Sequence, residues 1–185
     1  LKNATILFAD AANSTKLYAS LGDRKAFLLL NEYVCILSDT IEKCGGVPVK
    51  SIDGVVMGTF IDSGRAFQAA VKALQLLINH NQNKPVNERL EIKMGLHTGP
   101  VSMVTLNNLL DYIGLTVNST LDITNTALPN EIVISEALFN NRSVKRAILS
   151  VTDTVQKQQI RFKGNPADYT LYHIKISKQK STPKN

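Results

Sequence analysis

The chain has few cysteines and no long apolar run, and each of these absences excludes a class of protein. It carries two cysteines in 185 residues, Cys35 and Cys44, without a CxxC pair or a Cys/His cluster. This usage argues against a disulfide framework and predicts two buried or half-buried thiols in a reducing cytoplasm. No stretch approaches the roughly 20 apolar residues of a membrane-spanning helix. Because the start also lacks the pattern of a signal peptide, we expect a cytoplasmic domain without membrane contact, and the missing first methionine suggests a longer protein.

Acidic residues are scarce towards the C-terminus. The whole chain has 21 Lys+Arg against 15 Asp+Glu, a net charge of +6. Residues 1–156 hold 14 of each sign, whereas residues 157–185 hold 7 basic residues against a single acidic one, Asp168. We expect residues 177–185 to form a flexible basic tail, because they show no apolar period. Such a tail raises the pI without building a recognition surface, so no nucleic-acid partner is expected.

Apolar content of 44% is enough for one domain with a core, which we place at residues 1–176. Apolar runs and helical spacing predict the order β-α-β-β-α-β, the ferredoxin-like unit, and hence an α/β sandwich with an antiparallel sheet. The helices are expected to begin near Asn13 and at the capping residue Asp62, and the first to end at Gly45. The predicted segments are a strand at 4–9, a helix from 13 to 44, strands at 47–52 and 55–61, a helix from 63 to about 77, a loop at 79–87 and a strand at 90–96.

A C-terminal α/β extension is predicted to follow this core. Its helix should cover about residues 116–127, where apolar residues recur with helical spacing. The other predicted segments are a short strand at 131–134, a capped turn at Ser135 and two strands near 160–162 and 169–176.

Two carboxylates stand where a fold of this type can gather hard cations. Asp10 ends the first strand, and Asp53 lies in the Asp-Gly hairpin turn between the next two strands. Mg²⁺ prefers oxygen ligands, which neighbouring strand ends can supply. The residues after Asp10, including Asn13, Ser14 and Thr15, open a helix whose free N–H groups suit a polyphosphate. From the residues alone, Asp10 is either such a ligand or a solvated or helix-capping carboxylate.

Several longer motifs occur in a fixed order along the chain. They are KSIDGVVMGTF at 50–60, LEIKMGLHTGPV at 90–101, DYIGLTVN at 111–118, PNEIVIS at 129–135, and FKG at 162–164 followed by LY at 171–172. In this order and spacing they resemble the catalytic domain of class III adenylate/guanylate cyclases, in which the first reads KSIGDGVM. The resemblance covers about residues 3 to 176.

The resemblance implies a substrate, a cofactor and roles for particular residues. Lys50 and Asp111 would read the purine, with Lys the adenine-type choice, Asn118 would position the ribose and Lys163 would touch the phosphates. The implied reaction converts ATP (or GTP) to the cyclic nucleotide and pyrophosphate, with two Mg²⁺ or Mn²⁺ ions, at sites between the chains of a homodimer or heterodimer. Taken alone, Lys50 is equally a surface strand residue, Asp111 a turn former and Asn118 a helix cap.

The chain departs from the family pattern at both halves of such a site. It has Asp53-Gly54 where the family has Gly-Asp, so Asp53 is either a type I′ turn residue or a relocated metal ligand. Four positions after Asn118, on the same helix face, the family places an Arg that meets the transition-state charge, and this chain has Asp122. The family's glycine-rich stretch is also replaced, at residues 102–107.

These departures leave three hypotheses. The first is a degenerate cyclase domain, holding one metal ion or none, that is retained for dimerisation, nucleotide sensing or regulation. The second is a working cyclase that uses Asp53 and dispenses with the Arg. The third is an unrelated ferredoxin-like binding module.

Overall fold

The computed structural model describes residues 2–106, 108–152, 154–165 and 167–176. The tail predicted at residues 177–185 lies outside this part of the chain. Within the described residues, no helix combines the length and the apolar content needed to cross a membrane.

Eight strands and six helices build the described part of the domain. The strands are β1 (Lys2–Ala11), β2 (Val47–Ile52), β3 (Val55–Phe60), β4 (Ile92–Leu106), β5 (Leu109–Ile113), β6 (Glu131–Ser135), β7 (Val155–Arg161) and β8 (Asp168–Lys175). The helices are α1 (Ser14–Leu21), α2 (Asp23–Lys43), α3 (Ser63–Gln82), α4 (Leu115–Thr126), α5 (Glu136–Phe139) and α6 (Arg142–Val151), with a turn of 3₁₀ helix at Val86–Glu88.

The strands form one mixed sheet in the order β2-β3-β1-β4-β6-β8-β7, and β5 pairs with the distal part of β4. The first four strands pair antiparallel in the order β2-β3-β1-β4, which is the ferredoxin-like arrangement. The predicted fold class is therefore confirmed. The C-terminal extension joins through β6, which runs parallel to β4, and then through β8 and β7, which pair antiparallel.

The two faces of the sheet bury different sets of side chains. Alternate residues of β1, such as Leu7 and Ala9, face the main core under α1, α2 and α3. Ile6 and Phe8 point the other way, into a smaller cluster under α4. This helix comes very close to β4 at Gly95, where an added Cβ would lie only 2.7 Å from the Thr124 Cα.

The two glycines of the LEIKMGLHTGPV motif, Gly95 and Gly99, therefore serve helix packing. A Cβ at Gly99 would lie 2.7 Å from the Thr116 Oγ1, so a larger residue there would push α4 away from the sheet. The sequence predicts that this strand ends at residue 96, but β4 continues to Leu106 and forms a hairpin with β5. The expected strand end was wrong because Gly99 makes room for α4 instead of bending the chain.

Local capping signals predicted some helix ends correctly and one incorrectly. Asp62 accepts a hydrogen bond from the Arg65 N–H at 2.8 Å, and Gly45 adopts φ 80 after α2, both as predicted. The long helix predicted from Asn13 is instead broken at Gly22, whose φ of 77 favours glycine. The Asn13 side chain does not cap α1, because it binds backbone groups of the segment before β4.

Other differences concern length and exposure. Helix α3 extends to Gln82, into the segment predicted as a loop, and β7 begins at Val155. The segment after Ser135, predicted as a turn, contains α5 and α6, with Val144 and Ile148 of α6 buried in the main core. Of the two thiols, Cys44 is half-buried as predicted, whereas Cys35 lies on an exposed position of α2.

Candidate functional site

The strand-end carboxylate Asp10 lies half-buried between two neighbouring strands. It is the direct cross-strand partner of Val55 in β3 and of Lys93 in β4. Directly opposed residues point to the same face, so the Lys93 side chain lies within electrostatic reach of the Asp10 carboxylate. Burial raises the pKa of Asp10 above its usual value, and the charge of Lys93 partly offsets this. Sequence reasoning missed Lys93, because only the pairing register identifies it.

A buried phenol lies within electrostatic reach of Asp10. Tyr33 of α2 is fully buried, and its hydroxyl has no hydrogen-bond partner among the described residues. Burial and, secondarily, the Asp10 charge raise the pKa of Tyr33 well above its ordinary value. The carboxylate of Asp10 therefore lies in a partly desolvated corner of the molecule.

The hairpin turn reaches the same corner with the conformation expected for Asp-Gly. Asp53 has φ 50 and Gly54 has φ 83, and positive φ at both central residues is the mark of a type I′ turn. The Ala11 N–H donates to the Gly54 carbonyl at 3.0 Å, which fixes the turn next to Asp10. A Cβ at Gly54 would lie 3.3 Å from the Ala11 Cβ and 3.6 Å from the Ser14 Cβ, while the Asp53 side chain is exposed.

The donors at this corner do not fit a two-cation centre. Mg²⁺ and Mn²⁺ need several oxygen ligands in a compact geometry. Asp10 offers one carboxylate, and position 54 carries no side chain. Within the described residues, no group of three or more His, Cys, Asp and Glu side chains converges to hold a metal ion. Asp10 could share one cation with substrate phosphates, but the residues present do not build a second site.

The structure brings together the two residues expected to read a purine. The Lys50 Nζ of β2 donates to both carboxylate oxygens of Asp111 in β5, each at 2.9 Å. The Tyr112 N–H also donates to Asp111 at 2.7 Å. The hydrogen bond from Lys50, together with that N–H, lowers the pKa of Asp111 below its usual value. The two residues are 61 positions apart and meet because the β4–β5 hairpin turns towards β2.

Asn118 and Asp122 lie one turn apart on α4, as the sequence predicts. Asn118 is exposed and Asp122 is half-buried. Among the described residues, neither side chain makes a hydrogen bond or an ion pair. A carboxylate therefore stands, without a neutralising partner, where the resemblance places a guanidinium.

Lys163 is not part of the Asp10 corner. It is exposed in the turn between β7 and β8, at the sheet edge opposite to β2. Since β8 runs parallel to β1, this turn also lies at the other end of the sheet from Asp10. Within a single chain, Lys163 therefore lies far from the predicted metal corner.

The side-chain amide of Asn13 ties the loop after Asp10 to the segment before β4. Asn13 donates to the Arg89 carbonyl at 2.8 Å and accepts from the Glu91 N–H at 3.0 Å. The half-buried Ser14 and the exposed Thr15 follow it at the start of α1, where backbone N–H groups are free of helical partners. Of the predicted site residues, only Asn13 lines the nearby pocket of about 710 Å³ between α1 and the end of α3.

A histidine of the motif strand has a structural environment. The His97 Nδ1 and the Ser135 Oγ are hydrogen-bonded at 2.8 Å, and the ring meets Tyr169 edge to face at 5.9 Å. Burial lowers the pKa of His97 to about 4. The ring is therefore neutral at pH 7 and ties β4 to β6. Sequence reasoning quoted His97 only as part of a motif.

The sheet order, the carboxylate corner beside a hairpin turn and the Lys50–Asp111 pair together define a nucleotide cyclase fold. The family model described as "Adenylate and Guanylate cyclase catalytic domain" matches residues 1–175. The chain belongs to this family.

Curated relatives and solved structures agree with this assignment. The chain is 25% identical to an adenylate cyclase of Anabaena cylindrica over 94% of its own length and 37% of that protein. It is 30% identical to guanylate cyclase 2G of Mus musculus over 74% of its length and 13% of that protein. The chain thus spans well under half of these relatives.

Solved cyclases share the fold over nearly the whole chain. The guanylyl cyclase Cya2 aligns with a TM-score of 0.79 and 19% identity, covering 97% of this chain and 95% of that one. The adenylyl cyclase CyaB from P. aeruginosa aligns with a TM-score of 0.72 and 25% identity, covering 96% and 95% respectively.

Proposed function

We propose that this domain is a class III cyclase-like nucleotide domain that binds ATP, or GTP less favourably, and makes little or no cyclic nucleotide. The observation that carries the proposal is that position 54 bears no side chain while Asp53 occupies an exposed type I′ turn. The resemblance requires a second metal carboxylate there. Its loss removes one of the two cations that would activate the nucleophile and clamp the phosphates.

The second argument concerns charge at the transition state. Losing one donor to developing negative charge commonly lowers the rate by about 10²–10³. Asp122 goes further than a loss, because its carboxylate has no cation partner among the described residues and would repel phosphate oxygens. The two departures affect both sides of a shared site, so a partner with an intact sequence repairs only one of them.

The third argument is for purine binding. The Lys50–Asp111 pair survives with ideal geometry, at 2.9 Å to both oxygens. The Lys favours adenine, as the resemblance implies.

Association with a second cyclase domain is also part of the proposal, as a homodimer about a two-fold axis or as a heterodimer. Support comes from apolar side chains exposed on the β4–β5 hairpin and α4, since exposed apolar patches mark protein interfaces. They include Met103, Leu109, Leu110, Ile113, Leu115 and Leu121. In such a pair, the separated residue Lys163 could serve the neighbouring chain's site, and the domain would act in dimerisation, nucleotide sensing or regulation of a longer cytoplasmic protein.

The isolated domain is expected to make no cyclic AMP or cyclic GMP that chromatography can detect above the no-enzyme control. The assay uses ATP or GTP with Mn²⁺, at protein concentrations that favour the dimer. Turnover of order 1 s⁻¹, within the usual enzyme range, would contradict the proposal and favour the alternative of a working cyclase that uses Asp53.

The Asp122→Ala variant is expected to bind ATP more tightly than the parent. Removing the carboxylate removes repulsion of the phosphates, worth at least about 1 kcal/mol, the value for two unit charges 4 Å apart in water, and hence roughly fivefold or more in affinity. Isothermal calorimetry with ATP and Mn²⁺ measures this. The matched control is Asp53→Ala, an exposed carboxylate of the turn, for which a smaller change is expected. Unchanged or weaker ATP binding by Asp122→Ala would place this side chain outside the phosphate site.

A further inference from the structure

The outer surface of helices α3 and α6 is basic. Neither helix contains an Asp or a Glu. Together they carry Arg65, Lys72, Arg142, Lys145 and Arg146. Over residues 1–156 the 14 basic residues are balanced by 14 acidic ones, so this excess is local and is created by the fold. None of the predicted nucleotide-site residues lies on either helix.

A groove opens between the two helices. They meet at their N-terminal ends, where a Cβ at Gly64 would lie 2.5 Å from the Ser143 Oγ. Residues of both helices also line a groove of about 610 Å³. Val71 and the half-buried Ala147 line it with apolar surface, while Lys72 of α3 and Arg146 of α6 line it with positive charge. Among the residues that the structure describes, no carboxylate lines the groove.

The cations around the groove lack carboxylate partners. Within the described part of the chain, no Asp or Glu oxygen lies within the 4.0 Å ion-pair limit of Lys72, Arg142 or Arg146. Lys145 stands 5.3 Å above the ring of Phe139, also without a carboxylate. Elsewhere on the surface several cations are paired, among them Lys25, Lys43, Lys84 and Arg161.

One face of α6 combines this charge with an exposed apolar side chain. Residues at i, i+4 and i+7 of a helix share a face, which places Arg142, Arg146 and Leu149 together. The Leu149 side chain is 78% exposed. A solvent-exposed leucine next to unpaired cations is a mixed apolar and basic surface, complementary to a ligand that carries apolar groups next to carboxylates.

We propose that the groove between α3 and α6 is a docking site for an acidic amphipathic segment of a partner protein. Apolar side chains of the segment enter the groove over Val71 and Ala147, and its carboxylates meet Lys72 and Arg146. This is the helix-in-groove mode of peptide recognition. Regulation of the domain through this face would leave the nucleotide side of the sheet accessible.

Other anionic surfaces fit the groove less well. Val71 is 8% exposed and Ala147 is half-buried, so the apolar floor is recessed between the helices. A flat bilayer cannot reach it, and a nucleic-acid backbone gains nothing from an apolar floor. A narrow segment with protruding apolar side chains reaches both the floor and the charged walls.

The test is binding of a model peptide to the whole domain. The probe is an amidated helical peptide with Leu at i, i+3, i+4 and i+7 and Glu on the flanking positions, labelled with a zwitterionic dye and followed by anisotropy at low salt. Lys72→Glu with Arg146→Glu is expected to weaken binding by roughly tenfold or more, because two attractions become repulsions. Binding should also weaken as salt rises.

Matched controls separate docking from general charge. Arg24→Glu with Lys157→Glu changes the net charge equally at exposed positions outside the groove, and should leave binding within about twofold of the parent. Lys72→Gln with Arg146→Gln provides a milder change if the reversal fails to fold, as judged by circular dichroism, and should weaken binding too. The proposal is overturned by no binding of the peptide, by equal loss in the control variant, or by groove-dependent binding that is tighter to phosphatidylserine vesicles or to duplex DNA.

Discussion

Restoring the family residues together, by Asp53→Gly, Gly54→Asp and Asp122→Arg, is expected to raise ATP cyclisation at least about 10²-fold above the parent domain. The gain should exceed the single changes combined, since residues that act as one catalytic unit are non-additive. In particular, Asp122→Arg alone is expected to show almost no gain, because the metal corner would still lack its second carboxylate.

The structure explains why the turn must be changed as a pair. Gly-Asp suits a type II′ turn, which takes glycine at its first central position, whereas Asp53-Gly54 forms a type I′ turn. In the present geometry, a side chain at 54 has positive φ and lies 3.3 Å from Ala11. Gly54→Asp alone would therefore be strained, and Asp53→Gly supplies the freedom for the turn to change type.

The measurement is cyclic nucleotide formation with Mn²⁺ and ATP. It compares the parent, the double variant Asp53→Gly with Gly54→Asp, the single variant Asp122→Arg and the triple variant. Circular dichroism and light scattering confirm that each variant is folded and show its association state. A triple variant that is folded, dimeric and as inactive as the parent would mean that these residues are not the cause of low activity.

The domain is expected to lose stability as the pH falls from about 6.5 to about 4 because of His97. Burial lowers the pKa of the folded-state imidazole to about 4. In the unfolded chain the ring takes up a proton at about pH 6.5, so the unfolded state binds more protons in this window. Stability due to the neutral ring is thus complete above pH 6.5 and is lost as the pH falls towards 4.

The free energy of unfolding is expected to fall by about 2–3 kcal/mol, because the pKa of the His97 ring, which is not completely buried, is lowered from 6.5 to about 4. For a chain of this length this change corresponds to a fall of roughly 5–10 °C in Tm. Thermal unfolding of the parent and of His97→Asn at several pH values measures it. Asn can bond the Ser135 hydroxyl near the position of Nδ1 but does not titrate, so its profile should be flatter than that of the parent. Equal slopes for the two proteins would contradict the assignment to His97.

Much of this protein could be predicted from local sequence, for definable reasons. The Asp62 cap, the glycine after α2 and the type I′ turn at Asp53-Gly54 depend on the conformational preferences of a few adjacent residues. The ordered motifs were enough to indicate the cyclase family, which the family model then confirmed over residues 1–175. The replacements at Gly54 and Asp122 are likewise visible in the sequence.

Elements whose signals compete with tertiary packing were predicted less well. The sequence predicts a strand end at residue 96, but the strand continues to Leu106, and Gly99 within it makes room for α4. Helix α6 was missed because its short apolar stripe, Val144 and Ile148, becomes meaningful only against the core that it covers. A helix of this length depends on packing for most of its stability.

The sequence by itself determined the family, the local turns and caps, and the two departures from the family pattern, because each resides in a few neighbouring residues. Only the tertiary structure decided which distant residues meet. Strand register placed Lys93 beside Asp10, and the β4–β5 hairpin carried Asp111 to Lys50 across 61 positions. Packing of α3 against α6 gathered unpaired cations around one groove, although residues 1–156 as a whole carry balanced charge. A count of charges does not say which side chains share a surface.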